Sequence, residues 1–197
     1  MITFLAGNPV LRFAKKRRLK AINLHLGCGG HHLKDYINID YFKSDKKDSS
    51  RTGFCPDLRM DIRKMSMPDQ SVDEILTIHT LEHFNRWLTV SLIRKWFGWL
   101  KPGGKLIVEQ PDLDQCIHFY INHLGEDLDT PLGKLNRGYI QFYGNQWDEL
   151  DHETHRYVWT AGEFKQVLAA AGFSKISISH AARYHIPQRD MYVEAIK

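Results

Sequence analysis

Three cysteines in 197 residues, Cys28, Cys55 and Cys116, are too few and too scattered for a disulfide framework. They form no C-x-x-C pair and no zinc spacing, so reduced thiols are expected. No apolar run approaches the roughly 20 residues that a membrane-spanning helix needs. The N-terminus also lacks the order of a signal peptide. Its apolar stretch Ile2–Ala6 is short, and the basic cluster follows it instead of preceding it. A cytoplasmic location is the expectation. Repeats, low-complexity tracts and Pro/Gly-rich linkers are missing as well, which leaves one domain over residues 1–197. Strong net charge is the last absence: 27 Lys+Arg against 23 Asp+Glu give +4, short of the excess carried by a dedicated nucleic-acid binder.

The positive excess is local. Arg12, Lys15, Lys16, Arg17, Arg18 and Lys20 crowd one segment of an expected basic helix within residues 1–20. Such a run reads either as a solvated helix face or as a contact, through residues 12–20, for an anionic substrate or membrane headgroups. Hydrophobic residues at 43% and charged residues at 25% are ordinary for a folded globular chain and argue against disorder.

Periodicity predicts alternating strands and helices. Ile22–Leu26 alternates apolar and polar and stops at Gly27-Cys28-Gly29-Gly30, a strand running into a glycine turn. Tyr36–Asp40 is a second short strand ending in a carboxylate, followed by a polar loop over 41–57. Val72–Ile78 is a further strand. From Leu81 to Leu100 the spacing of Leu81, Phe84, Leu88, Leu92, Trp96 and Phe97 predicts a helix. Lys101-Pro102-Gly103-Gly104 ends it, and Lys105–Gln110 is the next strand. Thr160 with Glu163 three residues on is a capping-box pattern for a helix ending at Gly172. Ile176–Ile178 and Met191–Ile196 look like a closing pair of strands. The order predicts an α/β fold, doubly wound around a mostly parallel sheet with an antiparallel closing strand. Residues 125–158 form an insertion on the substrate side.

In open parallel sheets, ligands sit at the carboxyl ends of the strands near the switch point. Gly27-Cys28-Gly29, Asp40 and Asp61-Ile62 all fall on that side. A nicotinamide dinucleotide fingerprint requires a third glycine that opens a helix. Here that position is His32, and only a short stretch separates the two strands. A helix N-terminus for pyrophosphate is thus poorly supported.

The string Leu24-His25-Leu26-Gly27-Cys28-Gly29-Gly30 followed by Tyr36-Ile37-Asn38-Ile39-Asp40 resembles the opening of class I methyltransferases. The stretch from Asp61 to Ile75 is similar to that family's acidic motif and fourth strand. His79-Thr80-Leu81-Glu82-His83-Phe84 and Leu100-Lys101-Pro102-Gly103-Gly104-Lys105 resemble its type 11 small-molecule branch. The resemblance covers roughly residues 22–113 and the helix ending at Ala171-Gly172-Phe173. It implies a Rossmann-like methyltransferase fold and S-adenosylmethionine as cofactor. It further implies glycine-loop contact at Gly27 and Gly29, ribose at Asp40, and adenine at Asp61 and Ile62; Cys28, in the same turn, and His79, just after the fourth strand, are further candidates to line the cofactor. One departure stands out: the helix after the glycine loop is missing or reduced to Gly30–Asp35. Similar compression occurs in predicted methyltransferases of polysaccharide gene clusters. The N-terminal helix is then expected to cover the vacated sheet face.

Eleven histidines are present. His79 and His83 follow the fourth strand beside the expected methyl group, and His155 lies in the insertion. These three are the candidate general bases, imidazole being suited to proton transfer near neutral pH; buttressing the helix start or ordering the insertion are the structural alternatives. The H-x-x-H of Asp151-His152-Glu153-Thr154-His155 lacks a third obvious ligand, so no metal site is expected. The aromatic group Tyr139, Phe142, Tyr143 and Trp147 reads as core packing or as a sugar platform. The leading expectation is methyl transfer to a small-molecule or saccharide acceptor. Two others stay open: an RNA or protein methyltransferase using the basic segment, and a non-catalytic cofactor-binding module. The lack of an Asn/Asp-Pro-Pro-aromatic tetrad after the fourth strand argues against an enzyme that methylates nucleic-acid amino groups.

Overall fold

The computed structural model describes residues 7–42, 53, 55–130, 133–144, 151–185 and 188–197. Ile2–Ala6, Trp147 and most of the loop expected over 41–57 lie outside the described residues.

Alternating short runs make the central strands β1 (Asn23–Leu26), β2 (Ile37–Asp40) and β4 (Val72–Ile78), with a two-residue edge strand β3 (Leu58–Arg59). The long strand β5 (Leu100–Pro111) pairs in parallel with β4, while β8 (Ser174–Ser179) and β9 (Asp190–Ile196) close the sheet antiparallel. The order is β3-β2-β1-β4-β5-β9-β8, the mostly parallel sheet that the alternation predicts. Leu24 lies opposite Ile37 on one side and Ile75 on the other, which brings the ends of β1, β2 and β4 together. Hairpin strands β6 (Asp127–Thr130) and β7 (Gly133–Asn136) form a separate ribbon in the insertion.

Helix α1 (Pro9–Arg17) starts at Asn8, whose side chain accepts from the Val10 and Leu11 N–H groups. The expected helix from Leu81 is interrupted. A 3₁₀ turn at Leu81–His83 gives way to extended backbone at Phe84, and α2 (Arg86–Trp99) begins afresh with Asn85 as its cap. The apolar spacing runs through this break, so periodicity alone does not reveal it. Helix α3 (Leu113–Asn122) is capped by Asp112, a short α4 spans Ile140–Tyr143, and α5 (Ala161–Ala171) is capped by Thr160. Among the described residues no helix is long and apolar enough to cross a membrane.

The two faces of the sheet are unequal. Leu24, Leu26, Ile75, Leu106, Val108 and Val193 join the large core with Trp96 and Ile93 of α2 and with Phe164 and Leu168 of α5. The opposite face carries Leu76, Ile78, Ile107 and Tyr192, met by Leu33, Tyr36 and Tyr184, none of them helical. Val10 and Ala14 of α1 belong to the large core. The N-terminal helix therefore covers the face it shares with α2 and α5, against the expectation that it covers the vacated one. That vacated face presents buried polar His25 and Asn38 beside its few apolar residues, a poor match for a helix that buries only Val10 and Ala14. On α1 the basic residues Arg12, Lys15, Lys16 and Arg17 are exposed, and the last three sit in the final turn, where they complement the helix dipole.

Candidate active site

The turn after β1 is held by the next strand. Gly27 and Cys28 N–H both donate to the Ile39 carbonyl, at 2.9 and 3.1 Å. Gly27 (φ 70°) and Gly29 (φ 49°) take left-handed backbone, which glycine adopts without strain. Gly27 has a second constraint. A Cβ there would collide with Thr80, whose hydroxyl lies 3.2 Å from the Gly27 carbonyl and 3.0 Å from that of Ile78. The missing side chain thus makes room first for a residue of the protein itself.

Asp40 ends β2 and is 7% exposed. One carboxylate oxygen accepts from Gly29 N–H and the other from Phe42 N–H, each at 2.9 Å. A carboxylate offers about four acceptor sites, so each oxygen keeps capacity toward the adjoining space. Asp61 is engaged by a fork from Arg63, with Nε and the second guanidinium nitrogen each at 2.8 Å. That guanidinium holds the Asp61 carboxyl below its usual pKa. Ile62 beside it is buried.

Across the turn, His79 sits at φ 45° between two carboxylates. Its Nδ1 is 2.8 Å from Glu82 Oε1 and its Nε2 is 2.8 Å from Asp190 Oδ2. Burial alone would lower its pKa, but Glu82 and Asp190 outweigh burial and raise it to about 9. The ring is an imidazolium at neutral pH with both nitrogens engaged. Glu82 answers in the opposite sense: burial favours its neutral form, and the neighbouring imidazoles overcome this and hold it down to about 2. Arg189 grips both oxygens of Asp190, at 2.5 and 3.0 Å, and reaches Gln141 at 2.6 Å.

The insertion closes over this end. Arg156 and Tyr157 N–H donate to the Glu82 carbonyl at 2.7 and 3.2 Å. His83 Nδ1 lies 3.2 Å from the Thr154 carbonyl, and His155 Nδ1 lies 3.2 Å from that of Gln141. The His83 and His155 rings meet edge to face at 5.2 Å. Burial lowers the His155 pKa to about 4, so this ring is neutral. Gly144 permits the contact: a Cβ on it would strike the Glu153 carbonyl and His155.

These elements surround a cleft of about 470 Å³, within the roughly 300–1,000 Å³ of small-molecule sites. Gly27, Gly29, Asp40, Asp61, Ile62, His79 and His83 all contribute to its wall. Of the residues expected at the site, Cys28 and His155 do not. The Cys28 side chain is buried, which drives its thiol pKa up to about 12, and His155 stands behind His83. Tyr41, Phe42, Arg63 and Arg156 also line the cleft without having been considered for it from sequence, and His152, weighed there only as half of an H-x-x-H pair, lines it with Asp151 and Glu153. The rings of Phe42 and His152 approach to 4.6 Å and narrow the cleft. Tyr139, Phe142 and Tyr143 of the insertion do not line it. Tyr139 stacks on Tyr120 of α3 at 5.5 Å, and Phe142 meets the same ring at 6.1 Å.

A family model described as a methyltransferase domain matches residues 3–178. No curated protein matches the chain. Among solved structures, a SAM-dependent methyltransferase from Archaeoglobus fulgidus superposes with a TM-score of 0.58 at 16% identity, covering 98% of this chain and 96% of that one. A SAM-dependent methyltransferase from Methanosarcina mazei gives 0.58 at 17%, covering 91% and 93%. The 1,6-didemethyltoxoflavin-N1-methyltransferase of Burkholderia thailandensis, solved with its substrate and S-adenosylhomocysteine, gives 0.57 at 14%, covering 94% and 75%. At these identities the likeness is one of fold.

Proposed function

The chain belongs to the methyltransferase domain family, and from that premise we propose that it transfers the methyl group of S-adenosylmethionine to a hydroxyl-bearing small molecule or saccharide. The observation that carries the reading is the convergence of Gly27, Gly29, Asp40, Asp61, Ile62, His79 and His83 on one cleft at the strand ends. In this reading Asp40 accepts the ribose hydroxyls, and Asp61 with the Ile62 N–H meets the adenine. The Gly27–Gly29 turn passes beside the amino-acid portion. Cys28 contributes backbone to that turn. His79, clamped by Glu82 and Asp190, acts as a positioning residue with no free nitrogen for a proton.

In this reading His83 and the wall made by Asp151, His152, Glu153 and Arg156 would be left to the acceptor. That polar wall suits an acceptor rich in hydroxyl groups. When bound, the cofactor would supply a methyl group on a positively charged sulfur, and the acceptor hydroxyl would give up its proton to solvent as its oxygen takes that methyl and the carbon–sulfur electron pair stays on sulfur. Alignment of donor and acceptor is the enzyme's principal contribution.

Calorimetry with S-adenosylmethionine, S-adenosylhomocysteine and a nicotinamide dinucleotide tests the donor, with binding of the first two expected. Nicotinamide binding without a response to S-adenosylmethionine overturns the reading. Incubating fractionated metabolite and oligosaccharide extracts with methyl-labelled donor tests the acceptor, where label is expected in a hydroxyl-bearing small molecule. Label in RNA or protein alone would move the acceptor to those classes.

A further inference from the structure

Behind the cleft wall lies a cluster that a methyl-transfer cleft does not by itself require. Glu82, His83 and His155 each offer a ligand atom, and the three atoms lie within 4.8 Å of one another. Glu82 is 1% exposed. Its Oε1 faces His79 Nδ1 at 2.8 Å, while Oε2 has no hydrogen-bond partner among the described residues. His79 meets one oxygen of this carboxylate, and the other is a buried acceptor left without a donor, which costs free energy until a donor or a cation meets it.

The two histidines are prepared in a complementary way. A backbone carbonyl can only accept, so the Nδ1 atoms of His83 and His155, each 3.2 Å from one, must carry the proton. In the neutral ring the lone pair is then on Nε2. A histidine whose second nitrogen donates to a carbonyl is the usual arrangement of a metal ligand, because that bond fixes both tautomer and ring direction. Two imidazoles and one carboxylate form a ligand set with coordination positions to spare.

We propose that Glu82, His83 and His155 bind one divalent transition-metal cation, of the zinc, manganese or cobalt type, just behind the cleft wall to which His83 contributes. The ion meets the second Glu82 oxygen and fixes the His83 ring in that wall, with His155 as its third ligand. The second histidine–carboxylate group, His79, His185 and Asp190, is a weaker host, because Arg189 already occupies both Asp190 oxygens. That this ring faces the acceptor rests on the function proposed above, whereas the metal site rests on the cluster alone.

Chelator-stripped full-length protein is titrated with Co²⁺, following its visible absorption bands, and then with competing Zn²⁺. One equivalent per chain is expected. His83→Gln and His155→Gln should each weaken binding at least about 100-fold, and His185→Gln should not. Binding of S-adenosylhomocysteine and the melting temperature, measured on the same samples, show that each variant is folded. A folded wild type that takes up no cobalt overturns the proposal. Loss of cobalt in His185→Gln with retention in His155→Gln overturns it as well, since the ion then belongs to the other group. Cobalt binding without S-adenosylhomocysteine binding would keep the metal site and overturn the methyl-transfer reading instead.

Discussion

The side chain of Thr80 fills the space that a side chain on Gly27 would need. The two residues end neighbouring strands, and the threonine hydroxyl ties them by lying within hydrogen-bond reach of the Gly27 and Ile78 carbonyls. Gly27→Ala therefore meets both a collision and a left-handed φ of 70°. A loss of about 1–3 kcal/mol is expected from the backbone alone, with more from the contact. Gly27→Ala combined with Thr80→Ala should recover only the part of the collision made by Thr80 Oγ1 and Cγ2, because the Thr80 Cβ, 2.9 Å from the added atom, remains. Urea unfolding of the two variants beside wild type checks this; a Gly27→Ala protein as stable as wild type would show that the turn is not constrained in this way.

Asp40→Asn should weaken S-adenosylhomocysteine binding at least about tenfold. The amide keeps the shape but loses the charge, and hydrogen bonds to a charged group contribute about 1.5–3 kcal/mol each. It also turns a donor toward either Gly29 N–H or Phe42 N–H, both of which now donate to the carboxylate. Calorimetry on the folded variant gives the answer, and an unchanged dissociation constant removes Asp40 from the site.

Asp61→Asn should weaken binding less than Asp40→Asn does. Its carboxylate is shared with the Arg63 fork, so only its remaining capacity faces a ligand. Arg63→Met should conversely raise the Asp61 pKa toward the ordinary carboxylate value, because the guanidinium is what depresses it. Carboxyl titration followed by NMR reads that shift.

His79 makes stability depend on alkaline pH. Its folded-state pKa, about 9, exceeds the ordinary value near 6.5. Its contribution is complete below about pH 6.5 and is lost as pH rises to about 9. At its largest this amounts to about 3 kcal/mol. Urea midpoints measured from pH 6 to pH 10 should fall for wild type and fall less for His79→Gln. Parallel curves for the two proteins would mean that the Glu82–His79–Asp190 clamp is not charged as described.

Much of this was legible in the sequence, for local reasons. Strands β1 and β2 announce themselves by alternation, β4 by its β-branched apolar residues, and α5 by Thr160, whose hydroxyl accepts from Glu163 N–H at 3.1 Å. The strand-end residues of the cleft follow from their order along the chain. The break before α2 escaped because Asn85 caps the helix without disturbing the apolar spacing around it. Helix α3 buries only Cys116, too little to produce a periodic stripe. Asp190 escaped for another reason: it meets His79 across 111 residues, and no local pattern marks that pairing. Likewise His155 carries an H-x-x-H spacing with His152, but the structure groups it with Glu82 and His83 instead.

Three hydrogen bonds join the insertion to the 3₁₀ turn after β4. The Glu82 carbonyl accepts from Arg156 and Tyr157 N–H, and the Thr154 carbonyl accepts from the ring of His83. The roof of the cleft is therefore stitched to its floor along this seam, and neither side of it can lift without unpinning the other. The amide protons of Arg156 and Tyr157 become sensors of that seam. Their exchange with deuterated solvent should slow together when S-adenosylhomocysteine fills the cleft, and both should quicken in Gly144→Ala, where the added methyl group wedges the roof at Glu153 and His155.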